Sequence, residues 1–264
     1  KRMSNLLELN NLKMSFYTYA GEVQALRGVS FTLDQGEVIG IVGESGSGKS
    51  VTSLSIMGLL PPAAKIKSGN INFNGRDLLT LSSAQMQQIR GNEISMVFQD
   101  PMTSLNPVYT VGNQIMEPLM LHQHLSRSQA QKKAVEMLAL TGIPDPEQRF
   151  NQYPHEFSGG MKQRVVIAMA LACNPDVIIA DEPTTALDVM VQSQVLKAME
   201  DLRKRLDLSM MLITHDLSVI AQTCDNIAIM YAGKIVEYGN VIDVFDNPTH
   251  PYGMGLVKSF PNIK

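Results

Sequence analysis

The stretch Gly43-Glu44-Ser45-Gly46-Ser47-Gly48-Lys49-Ser50 constrains this chain more than any other. It follows an apolar run, Val38-Ile39-Gly40-Ile41-Val42, and precedes Val51-Thr52-Ser53-Leu54-Ser55-Ile56-Met57, which has helical spacing. A G-x-x-x-x-G-K-[ST] pattern between a strand and a helix is a phosphate-binding loop. Gly43, Gly46 and Gly48 allow backbone angles that a Cβ forbids, so successive N–H groups can converge on an anion. The helix opening at Lys49 and Ser50 adds the positive end of its dipole. Lys49 is expected to reach the β- and γ-phosphates of a nucleotide, and the Ser50 hydroxyl to ligate Mg2+. An ordinary Gly/Ser-rich turn holding a lysine is the plainer reading. Here, however, the complete pattern stands in its strand–turn–helix context.

A chain of 264 residues can hold one large α/β domain, or a domain with a subdomain. With 44% apolar residues it has material for a core, and no apolar run reaches the roughly 18 residues that cross a bilayer. The net charge of -3, without a long basic block, offers nothing to a nucleic acid. Cys173 and Cys224 lack C-x-x-C spacing and fall in apolar stretches, so buried free thiols and a reducing compartment are expected. No signal-peptide pattern opens the sequence. The 17 methionines are scattered through apolar segments and read as pliable core filling.

Taken in order, residues 6–9 and 14–17 predict one strand, 23–26 another, and 29–33 a third that alternates inside and out. Phe16, Tyr17 and Tyr19 cluster here; strand aromatics commonly serve the core, and the alternative is that one ring stacks on an adenine base. A helix over 51–60 is expected to stop at Pro61-Pro62. Asn74-Gly75 resembles a hairpin tip. The strand Ile94–Phe98 ends in Gln99-Asp100-Pro101, a polar residue facing the crevice where α/β proteins bind ligands. From about 102 to 153 the spacing turns helical, as expected of a helical insertion between two strands. His122 and His124 lie within it, without other ligand candidates, and read as surface.

Ser158 is a sound N-cap for a helix from Met161 through Ala172. Gly159 and Gly160 weaken that helix's first turn, which makes sense if the backbone must approach a ligand closely, an anion above all. Asp181 and Glu182 end a buried apolar strand, and adjacent carboxylates there call for a cation. Mg2+ is expected, with Asp181 in its coordination sphere and Glu182 activating a water against the γ-phosphate. His215 ends the strand Met210–Thr214 as a candidate γ-phosphate sensor, and residues 227–239 form a hairpin turning at Ala232-Gly233-Lys234.

Together these stretches resemble the ATP-binding cassette (ABC) family from about residue 6 to 260. The specific match is Phe157-Ser158-Gly159-Gly160-Met161-Lys162-Gln163-Arg164, which is similar to the family signature with Phe157 for its leucine and Met161 for its commoner glutamine. Gln99 matches the Q-loop glutamine, Ala186-Leu187-Asp188 the D-loop and His215 the switch histidine. The resemblance implies an α/β P-loop NTPase fold: a core with an antiparallel β subdomain at about 1–100 and 165–240, a helical signature subdomain at about 102–164, and a tail at about 241–264. It implies ATP and Mg2+ as ligands. Nucleotide contacts would come from Phe16, Tyr19, Gly43, Glu44, Ser45, Gly46, Ser47, Gly48, Lys49, Ser50 and Val51, and from Ser158, Gly159, Gly160 and Asp188. The metal would fall to Ser50, Gln99 and Asp181, and catalysis to Glu182, His215 and Gln99. Two cassettes would join head to tail, residues 158–160 of one closing over the γ-phosphate held by the other.

Residues 99–107, QDPMTSLNP, and 247–252, NPTHPY, resemble the ATPase subunits of bacterial dipeptide, oligopeptide and nickel importers. That implies uptake of peptides, with nickel or metallophore uptake as the alternative, and more remotely a soluble ATPase acting on nucleic acid or ribosomes. The implied partners are two transmembrane permease subunits, a second and paralogous ATPase subunit, and a solute-binding protein, at the cytoplasmic face of the membrane. Leu105, Tyr109 and Val111 are expected either to line a groove for a permease helix or to be buried packing. An iron–sulfur cluster is expected only in a C-terminal extension beyond Lys264.

Overall fold

The computed structural model describes residues 5–184 and 189–259. In chain order the elements begin with β1 (Asn5–Thr18), β2 (Gly21–Asp34), β3 (Val38–Val42), α1 (Lys49–Met57), β4 (Ala64–Phe73), β5 (Arg76–Asp77) and α2 (Ser83–Ile89). Next come β6 (Ile94–Val97), α3 (Pro101–Ser104), α4 (Val111–His122), α5 (Arg127–Leu140), α6 (Pro146–Arg149) and α7 (Gly159–Leu171). Then follow β7 (Val177–Asp181), α8 (Val189–Leu206), β8 (Ser209–Ile213), α9 (Leu217–Thr223), β9 (Asn226–Tyr231), β10 (Lys234–Asn240), α10 (Val241–Asp246) and α11 (Pro251–Lys258). The chain divides into two compact units, residues 1–86 with 209–264, and residues 87–208.

The first unit carries an antiparallel sheet in the order β2-β1-β4-β5. Leu7, Leu9, Leu12 and Met14 of β1 and Leu26, Val29 and Leu33 of β2 are buried, the alternation expected of a sheet with one covered face. The two strands expected over 23–33 are one continuous β2. Leu12 pairs with Val29 and Lys13 with Arg27, so Gly28 is the extra residue of a β-bulge that bends the strand without ending it. The Asn74-Gly75 tip is confirmed: both residues have positive φ, 48° and 76°, and Phe73 pairs with Arg76 across it. The hairpin at Ala232-Gly233 has the same form, φ 47° and 78°.

The same unit holds the strands β10-β9-β3-β8. β3 pairs in parallel with β8 and with β9, and every residue of β3 is buried, which is why it reads as an unbroken apolar run. α1 ends earlier than its prolines suggest. Gly58 takes the left-handed conformation and its N–H caps the carbonyls of Leu54 and Ser55, stopping the helix at Met57.

In the second unit β6 and β7 pair in parallel, α4 and α5 fall within the stretch 102–153 whose spacing turns helical, and α7 packs against both. Thr110 caps α4 and Ser126 forms a capping box with Gln129 at α5. Of the residues considered for a groove, Leu105 and Val111 are core, at 4% and 0% exposure, and Tyr109 alone is open to solvent. Cys173 is buried as expected, whereas Cys224 is only half-buried. The methionines divide similarly: Met14, Met116 and Met211 are core, while Met190 is exposed. Among the described residues no helix is long and apolar enough to cross a membrane.

Candidate functional site

In the first unit the site is built on the end of β3. Gly43 follows the strand with φ 154°, and a Cβ there would lie 2.2 Å from the Met230 carbonyl oxygen, so no larger residue fits. Gly48, at φ 108°, is the left-handed N-cap of α1, and no side chain caps that helix. The positive end of its dipole is therefore left to a ligand. Ser47 is buried, and its Oγ has no hydrogen-bond partner among the described residues. A buried hydroxyl left in that state costs free energy unless something polar binds beside it. Lys49 is 7% exposed, and its Nζ donates to the carbonyls of Gly43 at 2.8 Å and Glu44 at 3.0 Å. Glu44, Ser45, Gly46 and Ser50 are exposed around this buried cation, and Val51 is half-buried.

Strand register places His215 at the same end of the sheet. Ile41 pairs with Ile213, and the Thr214 N–H donates to the Ile41 carbonyl at 3.3 Å, so positions 43 and 215 each lie two residues past a paired position. The Thr214 hydroxyl accepts the Asp216 N–H, and Asp216 in turn caps α9 through the N–H groups of Ser218 and Val219. His215 is fixed between two such turns, with its ring exposed.

Of the aromatic cluster, Phe16 is half-buried and Tyr19 is fully exposed in the turn between β1 and β2. Tyr17 is engaged by cations, with the Lys65 and Lys67 ammonium groups 5.6 and 5.2 Å from its ring centre.

In the second unit the same logic of register brings two expected residues into contact. Val97 pairs with Ala180, so Gln99 and Glu182 each stand two residues beyond a matched position. The Gln99 carboxamide Nε2 donates to Glu182 Oε2 at 3.1 Å. Glu182 has φ 46°, a left-handed conformation that costs a non-glycine residue of order 1 kcal/mol and clusters at functional sites. Asp181, the last residue of β7, is buried at 7% exposure. Within this unit the carboxylate of Asp181 and the carboxamide oxygen of Gln99 are hard oxygen donors, of the kind that suits Mg2+, as is the Ser50 hydroxyl in the first unit.

Ser158 caps α7, its Oγ accepting the Met161 N–H at 3.4 Å, and the helix takes in Gly159 and Gly160 rather than starting at Met161. Ser158 and Gly159 are exposed. Gly160 also has a reason internal to the unit: a Cβ there would lie 2.4 Å from Val191 Cγ1 on α8. Phe157 is buried, with the Arg149 guanidinium 5.7 Å above its ring, so the unusual opening residue fills the core. Arg164 donates to the carbonyls of Thr141 and Gly142 and to Gln194 Oε1. The D-loop match, Ala186 to Asp188, lies outside the described residues.

One contact was not legible beforehand. The Tyr252 hydroxyl, on α11, accepts the N–H of Glu44 at 3.2 Å, across 208 positions of sequence. The tail motif marks Tyr252 as notable, but no local pattern connects it to the phosphate loop.

Comparison with known proteins bears on all of this. A model of the ABC transporter family matches residues 26–185. The oligopeptide transport ATP-binding protein OppD of Bacillus subtilis is 59% identical over 100% of this chain and 74% of its own length. The dipeptide transport ATP-binding protein DppD of the same species is 56% identical over 99% and 78%. Among solved structures, the dimeric post-hydrolysis state of the ATP-binding cassette MJ0796 bound to ADP and Pi superposes with a TM-score of 0.79 at 28% identity, covering 89% of this chain and 98% of that one.

Proposed function

Since the chain belongs to the ABC transporter family, we propose that it is the ATP-hydrolysing subunit of a bacterial peptide importer. The reading rests above all on the loop of residues 43–50, where a buried lysine and an unpartnered buried hydroxyl sit at an uncapped helix start. The relatives named for dipeptide and oligopeptide transport, similar over nearly the whole chain, support peptides as the cargo rather than nickel or a metallophore.

Each residue's role follows from its chemistry. Lys49 and the loop amides take the β- and γ-phosphates of ATP, and Ser50, Asp181 and Gln99 supply oxygen ligands to Mg2+. A metal held there would neutralise charge on the phosphates. Glu182 orients a water for in-line attack, with Gln99 holding its carboxylate, and His215 reads the γ-phosphate. Phe16 or Tyr19 stacks on the adenine. Ser158, Gly159 and Gly160 offer the start of α7, and Asp188 a further polar contact, to nucleotide held by a second ATPase subunit. The dimeric state of the solved relative supports that arrangement. The other partners are two permease subunits, and through them a solute-binding protein, with this chain peripheral to the cytoplasmic face of the membrane.

Reconstitution tests the proposal. Co-expressed with permeases and a second ATPase subunit and placed in proteoliposomes, the chain should drive ATP-dependent uptake of a labelled dipeptide or oligopeptide. Uptake of nickel with none of peptide would overturn the cargo assignment.

A further inference from the structure

We propose that Tyr252 is a positioning residue for Lys49, acting through the single peptide plane that joins Gly43 to Glu44. That plane is gripped on opposite edges. Its N–H, on Glu44, donates to the Tyr252 hydroxyl at 3.2 Å, and its C=O, on Gly43, accepts from the Lys49 ammonium at 2.8 Å. A trans peptide is rigid, so fixing one edge fixes the other. Gly43, at φ 154°, has no side chain to fix the plane's tilt, so the hold on the Glu44 N–H adds a restraint that the glycine itself does not supply.

Tyr252 is itself firmly seated. Its ring lies 4.7 Å from that of Tyr231, tilted by 40°, and Tyr231 directly follows Met230, whose carbonyl confines Gly43. The Glu237 carboxylate on β10 accepts from the Thr249 N–H, the Thr249 hydroxyl and the His250 N–H. His250 Nδ1 then accepts the Tyr252 N–H at 3.1 Å. A Cβ on Gly253 would come within 2.1 Å of Glu237 Oε2, so the segment lies as close to β10 as a chain can. Burial pushes the phenol's pKa up from a value at which the hydroxyl is already neutral at physiological pH. The chain thus spends a buried carboxylate, a capped helix and a ring pair on holding one hydroxyl against the loop.

This role rests on the phosphate-loop reading. With the plane fixed, Lys49 waits on its carbonyls in one orientation, and the loop is ordered before nucleotide arrives. Tyr252→Phe keeps the ring and its packing but removes the hydroxyl. In the full chain, binding of a fluorescent ribose-labelled ATP with Mg2+ should weaken about three- to tenfold, as for a lost hydrogen bond that pre-orders a site. The unfolding midpoint should stay put. Acylation of Lys49 by a small N-hydroxysuccinimide ester, measured without nucleotide, should speed up by a similar factor. In a Lys49→Ala background the same tyrosine change should cost no further affinity. Unchanged affinity and unchanged Lys49 reactivity in Tyr252→Phe would overturn the role, as would an equal loss with and without Lys49. A wild-type chain that binds no nucleotide would instead sink the phosphate-loop reading, and this role with it.

Discussion

Gly160→Ala separates two reasons for a glycine at that position. The added Cβ would lie 2.4 Å from Val191 Cγ1, and ordinary contact needs a retreat of about 1 Å. Valine is stiff about χ1, so the cost of overpacking, about 1–3 kcal/mol, falls on helix separation. Against it stands the gain of about 1 kcal/mol from replacing glycine by alanine within a helix. The net is a destabilisation of about 1 kcal/mol, or a melting temperature lower by roughly 2–4 °C for a chain of this size. Val191→Ala in the same chain removes the offending methyl and should restore stability, to or above that of Val191→Ala alone. Differential scanning calorimetry of the four proteins gives the cycle. If the glycine is also needed where it faces nucleotide on a second subunit, the double variant will be stable yet still poor in ATP-driven dimerisation. A single Gly160→Ala as stable as wild type, with no coupling to Val191, would refute the packing argument.

Glu182→Gln keeps the shape and the Gln99 contact but removes the base. Hydrolysis should fall by about a hundredfold or more while ATP binding persists and a closed dimer accumulates on a sizing column; turnover near wild type would take Glu182 out of catalysis. Burial pushes the Cys173 thiol up from its ordinary 9.0. Iodoacetamide at pH 8 should therefore leave it unmodified until the chain unfolds. Its contribution to stability is present below the ordinary value and lost as pH rises through the raised one, so Cys173→Ala should flatten the alkaline fall in stability.

What could be read from sequence was local. The phosphate loop, the Asn74-Gly75 tip and the Ser158 cap each depend on residues within a few positions of one another, where backbone sterics and a single hydrogen bond decide the outcome. The Gln99–Glu182 contact depends on the pairing of β6 with β7, some 80 residues apart, and a one-residue slip would have pointed both side chains elsewhere. Leu105 and Val111 were ambiguous because an apolar residue near a helix start suits a groove and a core equally. Residues 23–26 and 29–33 read as two strands because the bulge at Gly28 breaks the alternation between them without breaking the strand. The seat of Tyr252 on Glu44 has no sequence signal at all, since its geometry is set by Glu237 and Tyr231.

Arg164 gives the signature helix its mechanical character. One guanidinium ties the carbonyls just past the end of α5 to a side chain of α8, so three helices share a rivet less than two turns behind Ser158. Residues 158–160 therefore have little freedom to adjust by themselves. Any movement of these residues would swing the riveted helices together, as a lever swings its tip.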